Sequence, residues 1–71
     1  MKVQIENPIP ATNLDDVNYV IELVNKHDDI DNVKGELSTC NFPSGLFIYS
    51  GGSHIAVHSS KSNSERILFI S

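Results

Sequence analysis

The run His54-Ile55-Ala56-Val57-His58 is the first place in this sequence to look for chemistry. On an extended strand both imidazoles share one face, roughly 13 Å apart at 3.3 Å per residue. That is too far for one metal ion, whose ligand bonds are about 2 Å. Imidazole titrates nearest neutrality, so His54, with Tyr49 placed beside it, could act as an acid–base group in a small enzyme or ligand-binding site. The plainer reading is two half-exposed histidines on a sheet face that meets a partner, and it is preferred.

Asp28, Asp29 and Asp31, after His27 and before Asn32, suggest a cation loop. The EF-hand pattern fails, because Val33 stands where a ligand belongs and Lys34 where the glycine belongs. These acids are read as a solvated helix terminus, or as an electrostatic contact for a basic partner surface. Cys40 has no acid–base neighbour in sequence. A Cys–His nucleophile would need His54 or His58 to approach in space, and the plainer reading is a packed free thiol. Gly51-Gly52 is followed by strand-like sequence, so it is a turn and not a phosphate cradle. No catalytic set, metal set or cofactor motif is assigned.

Composition narrows the field. Seventy-one residues with nine acids, five bases and a single cysteine form one domain, residues 1–71, with no internal disulfide and no zinc module. A core of this size supplies about 3–5 kcal/mol net, so association is the remaining staple. A pI near 5.0 disfavours nucleic-acid backbones and anionic membranes. The N-terminus lacks an apolar signal segment and the longest apolar run is Leu46 to Tyr49. The expectation is a soluble cytoplasmic protein with its thiol reduced.

The elements that must position these residues follow from periodicity. Lys2–Glu6 alternates and reads as a short strand, stopped by Pro8 and Pro10. Thr12 or Asn13 can cap a helix whose Leu14, Val17, Val20, Ile21 and Val24 form one stripe within about 120°. Tyr19 and Leu23 lie off that stripe. The acids after His27 oppose a helix C-terminal dipole and end the helix there. Thereafter the period becomes two, with candidate strands Val33–Cys40, Gly45–Ser50, Ser53–Ser59 and Glu65–Ile70. Gly51-Gly52 predicts a two-residue type I′ hairpin. Counting outward pairs Ser50 with Ser53, Tyr49 with His54 and Ile48 with Ile55. One face then carries Leu46, Ile48, Ile55 and Val57; the other carries Phe47, Tyr49, His54, Ala56 and His58. Matching parity adds Ile67 and Phe69 to the first face, and Arg66, Leu68 and Ile70 to the second.

The fold expected is α+β, in the order β-α-β-β-β-β, with one amphipathic helix on a four- to five-stranded, mainly antiparallel sheet. One helix covers one face, so the other is left rich in apolar groups. The function expected is that of a small, acidic, non-catalytic regulator or inhibitor that binds a protein partner by surface occlusion. Phage- or mobile-element-encoded antagonists of host machinery, anti-CRISPR-like inhibitors among them, are such proteins. The partner contacts expected are Phe47, Tyr49, His54, His58 and Leu68 on the outer sheet face, with Asp28, Asp29 and Asp31 as a second contact. A homodimer through the outer face is the preferred assembly. The alternatives are the His/Tyr enzyme or ligand site, and a single-stranded nucleic-acid binder stacking bases on Phe47 and Tyr49.

Overall fold

The computed structural model describes residues 1–62 and 64–71, so Asn63 of the serine tract lies outside the described residues. The chain is α+β. Strand β1 (Val3–Ile5) leads through a 3-10 turn at Ala11–Asn13 into helix α1 (Leu14–Lys26) and then helix α2 (Ile30–Leu37). Strands β2 (Phe47–Ser50), β3 (Ile55–His58) and β4 (Arg66–Ile70) follow. All four strands form one sheet in the order β1-β4-β3-β2, each neighbouring pair antiparallel.

Helix α1 ends where the sequence says it should, at His27, whose backbone turns extended (φ −108°, ψ 144°). The segment after it corrects the strand expected at Val33–Cys40. Asp29 caps a second helix, its carboxylate accepting the Asp31 backbone N–H at 3.0 Å. The acids that could not continue one helix thus suit the N-terminal dipole of the next. Ile30, Val33 and Leu37, at i, i+3 and i+7, turn toward the core on it. Gly35 in its middle costs about 1 kcal/mol of helix propensity, which the burial of Val33 and Leu37 outweighs.

The second helix changes what α1 buries. Val17, Val20, Leu23 and Val24 are buried, whereas Leu14 stands 47% exposed. Leu23 lies off the stripe expected of a lone helix and is covered because α2 packs beside it. Asn13 sits at the α1 N-cap position without capping it. Its buried amide instead donates to Ser44 Oγ at 3.1 Å, and Ser44 Oγ in turn bonds the Asp16 carboxylate. Those contacts pin the loop before β2 onto the start of α1. The loop turns at Phe42-Pro43-Ser44-Gly45, where Gly45 N–H donates to Phe42 O at 3.0 Å and Gly45 takes φ +86°.

The β2–β3 turn is centred one residue beyond the expected one, on Gly52-Ser53, and is closed by Gly51 N–H donating to His54 O at 2.8 Å. No glycine there has positive φ, so the type I′ geometry is absent. Lys34 of α2 donates to the carbonyls of Gly51 and Gly52, the latter at 2.7 Å, and so holds the turn from the helical side. The register is therefore Phe47↔His58, Ile48↔Val57, Tyr49↔Ala56 and Ser50↔Ile55. It differs from the expected pairing by two positions, which preserves which residues share a face.

Strand β4 reverses the parity expected of it. Ile55 opposes Ile70 and Val57 opposes Leu68, with a register shift at His58↔Arg66. The bulge absorbs one residue, so Ile67 and Leu68, adjacent in sequence, are both buried. Leu68 and Ile70 thus belong to the helix-covered face, and Phe69 to the other. The core joins Val17, Val20, Leu23 and Val24 of α1, Val33 and Leu37 of α2, Leu46, and Ile55, Val57, Ile67, Leu68 and Ile70 of the sheet. The accessible surface, 4346 Å², matches the roughly 4,400 Å² expected of a compact monomer of this mass. The uncovered sheet face therefore does not reflect a loose fold. Among the described residues no helix is long and apolar enough to cross a membrane.

Face assignment has a direct energetic test. Leu68 is fully buried, so Leu68→Ala is expected to cost about 2–5 kcal/mol, comparable to the whole stability of so small a domain. Phe69→Ala, on the outer face, is expected to cost less than half of that. Urea denaturation of the two variants checks both, and equal losses would contradict the assignment.

Candidate functional site: the outer face of the sheet

With both helices on one side, the opposite face of the sheet presents two rows of residues. Tyr49, Ala56, Phe69 and Gln4 form one row across the strands; Phe47, His58 and Arg66 form the other. The rings on these rows pack on one another rather than on a core. Phe47 and Tyr49 meet edge to face at 4.9 Å between centroids, and Tyr49 meets His58 at 6.0 Å. Between the flanking rings Ala56 is buried even though it lies on the outer face. Tyr49 is 60% exposed.

A second cluster is built around His54. Its imidazole stacks on Phe69 at 5.2 Å with an interplanar angle of 25°. The ring also lies close to the α-carbon of Gly51, where an added Cβ would fall 2.2–2.8 Å from the imidazole atoms. Glycine is required at 51 for this close approach, not for a positive φ. Over Phe69 sits the Arg66 guanidinium, 4.5 Å from the ring centroid. Arg66 is itself held by Glu6, with Nε 2.8 Å from Oε1 and Nη2 donating to Oε2 at 3.1 Å. A shallow groove of about 350 Å³ runs along the first cluster, lined by Phe47, Tyr49, His58, Lys61 and Ser64.

Of the residues singled out from sequence, Phe47, Tyr49, His54 and His58 do share this face. Tyr49 stands beside His58 and not beside His54, because the turn shift moves the pairing by two. Leu68 is removed from the site: it points into the core. Its place is taken by Phe69, which parity counting had assigned to the inner side; a bulge within β4 is not visible in a count of alternation. Asp28, Asp29 and Asp31 are exposed at the α1–α2 junction, away from the rings. Asp29 is explained by capping, and Asp31 lies 3.9 Å from Lys34.

The helical side holds its own polar features. Cys40 approaches neither histidine; its thiol donates to Glu36 O at 3.2 Å and lies 3.7 Å from the Tyr19 hydroxyl. That contact with Cys40 pushes the Tyr19 phenol above its ordinary range, with the charges of Glu36 and Glu22 adding to it. His27 Nε2 lies 3.3 Å from Glu36 Oε1, which Lys26 also approaches at 3.5 Å. Two further grooves, of about 410 and 360 Å³, run past Tyr19 on this side, one reaching Glu22, Lys26 and Glu36 and the other Asp16, Cys40 and Phe42. Among the described residues, no three His, Cys, Asp or Glu side chains gather closely enough to hold a metal ion.

Charge divides along the same boundary. Residues 11–41 carry Asp15, Asp16, Glu22, Asp28, Asp29, Asp31 and Glu36 against Lys26 and Lys34, a balance of −5. The rest of the chain carries Glu6 and Glu65 against Lys2, Lys61 and Arg66, a balance of +1, together with His54 and His58. The helical layer is anionic and the sheet layer is not. Compared with protein-family models, curated proteins and solved structures, the chain matches none.

Two changes probe these clusters. Gly51→Ala is expected to push the His54 ring off Phe69 while leaving the β2–β3 ladder paired. The measurement is the ring-current shift of the His54 protons, which moves toward its unstacked value. Cys40→Ala in a Tyr49→Phe background is expected to lower the Tyr19 titration back toward ordinary phenol, read from phenolate absorbance; an unchanged titration would contradict the thiol contact.

Proposed function

We propose that this chain is a non-catalytic protein-binding regulator that occludes part of a partner's surface with the outer face of its sheet. One observation carries the reading: both helices cover the same face, so the rings of Phe47, Tyr49 and Phe69, with His54, His58 and Arg66, stand outside a core that is already closed. Single exposed apolar residues need no explanation, but a clustered patch marks an interaction surface. Aromatic and arginine side chains are the usual anchors of such surfaces, since each brings large area at little conformational cost. The site of action is the cytoplasm, where Cys40 stays reduced. Small phage-encoded antagonists of host machinery work by occlusion of this kind.

The charge division sharpens the partner's chemistry. A protein surface with an apolar centre and carboxylates at its rim would meet rings at the middle of this face and Lys61 beside them. The anionic helical layer then faces away from the partner, and its field disfavours docking the other way round. Asp29 and Asp31 have structural work at the start of α2, Asp28 lies beside them away from the rings, and none of the three is assigned to the contact. Stacking of single-stranded nucleic acid on Phe47 and Tyr49 would use the same rings. Beside those rings it finds Lys61 and Arg66 for phosphates, and Arg66 is already committed to Glu6. A His/Tyr enzyme site is less well supported, because His54 is engaged by stacking on Phe69 and Cys40 lies across the core from both outer-face histidines.

Affinity purification from the source cells tests the reading. A stoichiometric protein is expected to co-purify with the native chain. Phe47→Ser and Tyr49→Ser are each expected to weaken it by about 2 kcal/mol or more, roughly thirtyfold, whereas Asp28→Asn with Asp31→Asn leaves it intact. Capture that ignores the ring substitutions would overturn the proposal. So would binding of single-stranded oligonucleotides that persists at about 200 mM salt, where phosphate-driven binding weakens steeply.

A further inference from the structure

The sheet has two edges, and they are not alike. At the β1 edge, charge and proline stand guard: Lys2 and Glu6 flank Val3–Ile5, and Pro8 and Pro10 follow. These are the devices by which proteins keep sheet edges from pairing. The β2 edge lacks the charges: Leu46 and Gly51 flank it, and its nearest proline, Pro43, stands four residues ahead. Phe47-Ile48-Tyr49-Ser50 itself contains no charge and no proline, its ladder with β3 runs without a register shift, and among the described residues no strand pairs on its other side. We infer that this edge is where a second copy of the chain adds, strand β2 to strand β2, in a two-fold antiparallel dimer.

The register of such a pair follows from the ladder already present. Gly51 N–H bonds His54 O, so alternation turns the backbone groups of Tyr49 and Phe47 toward β3 and those of Ile48 and Ser50 toward the free edge. A two-fold axis through Ile48 makes Ile48 oppose Ile48 of the second copy, as a hydrogen-bonded pair. Phe47 then opposes the second copy's Tyr49, and Ser50 opposes its Leu46. Parity is satisfied everywhere, because residues that share a face in one copy share it across the axis. Ile48, half-buried at the rim of the core, gains a cover. The Phe47 and Tyr49 rings of both copies form one cross-strand aromatic group. The sheet becomes eight-stranded, and its outer face remains open. The inference is therefore independent of what that face binds.

Electrostatics gives the dimer a signature. Edge pairing sets the two anionic helical layers side by side, so added salt is expected to tighten it by screening their repulsion. Face-to-face association would hold those layers apart on opposite outer sides, and would respond to salt weakly.

Sedimentation of the purified chain from low to high micromolar concentration tests this. The expected result is a species of twice the 7.8 kDa chain mass, more populated as salt rises. Ser50→Lys is expected to weaken the dimer by about tenfold or more, with the circular dichroism unchanged. Ser50→Pro does the same through the backbone, removing an N–H that faces the free edge and not β3. If Ser50→Pro fails to fold, Ser50→Lys alone decides. A monomer at high micromolar concentration and high salt overturns the inference. So does a dimer that withstands Ser50→Lys but dissociates on Phe69→Ala, since that result places the contact on the sheet face.

Discussion

Strands alternate sides, and helices cover only the side on which they lie; from these two facts follows most of what distinguishes this molecule. Ile55, Val57, Leu68 and Ile70 turn to the helices and vanish from solvent. Tyr49, Phe69 and Phe47 turn the other way and pack among themselves, two imidazoles and a guanidinium. A chain with a longer connection between its two helices could have sent the second across that face. Here α2 follows α1 after a break of three residues and must lie beside it, on the same side. The short break at His27–Asp29 thereby decides that one face of the sheet is left open.

How far the sequence discloses this depends on the kind of signal. Helix α1 with its stop at His27 and the antiparallel pairing follow from periodicity and turn residues; Val17, Val20 and Val24 of its expected stripe are buried, and the strands expected over Gly45–Ser50, Ser53–Ser59 and Glu65–Ile70 form over 47–50, 55–58 and 66–70. The helix at Ile30–Leu37 hides behind a short segment in which Val33, Gly35, Leu37 and Thr39 also alternate with period two. Its legible signals were Asp29 as a cap and the Ile30, Val33, Leu37 spacing; Gly35 argued against them. Leu23 was a clue of a different sort, since an apolar residue off the stripe implies a second helix to cover it. The parity of β4 was not legible at all. It turns on a bulge whose reason, burying both Ile67 and Leu68, appears only when the core is assembled. Four of the residues read as contacts, Phe47, Tyr49, His54 and His58, nonetheless come together, because the turn moved by an even number of register positions.

The polar contacts of the helical side fit a common role. Lys34 on the Gly51 and Gly52 carbonyls, Asn13 and Asp16 on Ser44, and Asp29 on its own helix each fasten a connecting segment through polar contacts. Lys34 is the most consequential of them. It joins the second helix to the turn that sets the β2–β3 register, and thus reaches, through Gly51, the backbone on which His54 rests. The site's geometry is fixed from behind, by a layer the partner need never touch.

The pairing of β1 with β4 sets Val3 opposite Ile70, and Lys2 and Ser71 exchange backbone hydrogen bonds in both directions. This ladder brings together the two most distant parts of the chain, and its loop-closure entropy grows with the logarithm of everything between them. The β2–β3 and β3–β4 ladders close over far shorter loops, so β1 is expected to dock last in folding. Until it does, β4 is itself an open edge. Residues 2 and 71 also lie side by side in the finished sheet, at the rim opposite β2. A short linker joining residues 2 and 71 would close this stretch of chain into a ring without bending a strand. In a chain so closed the slowest closure would be built in before folding begins, while the aromatic face and the β2 rim would be left as they are.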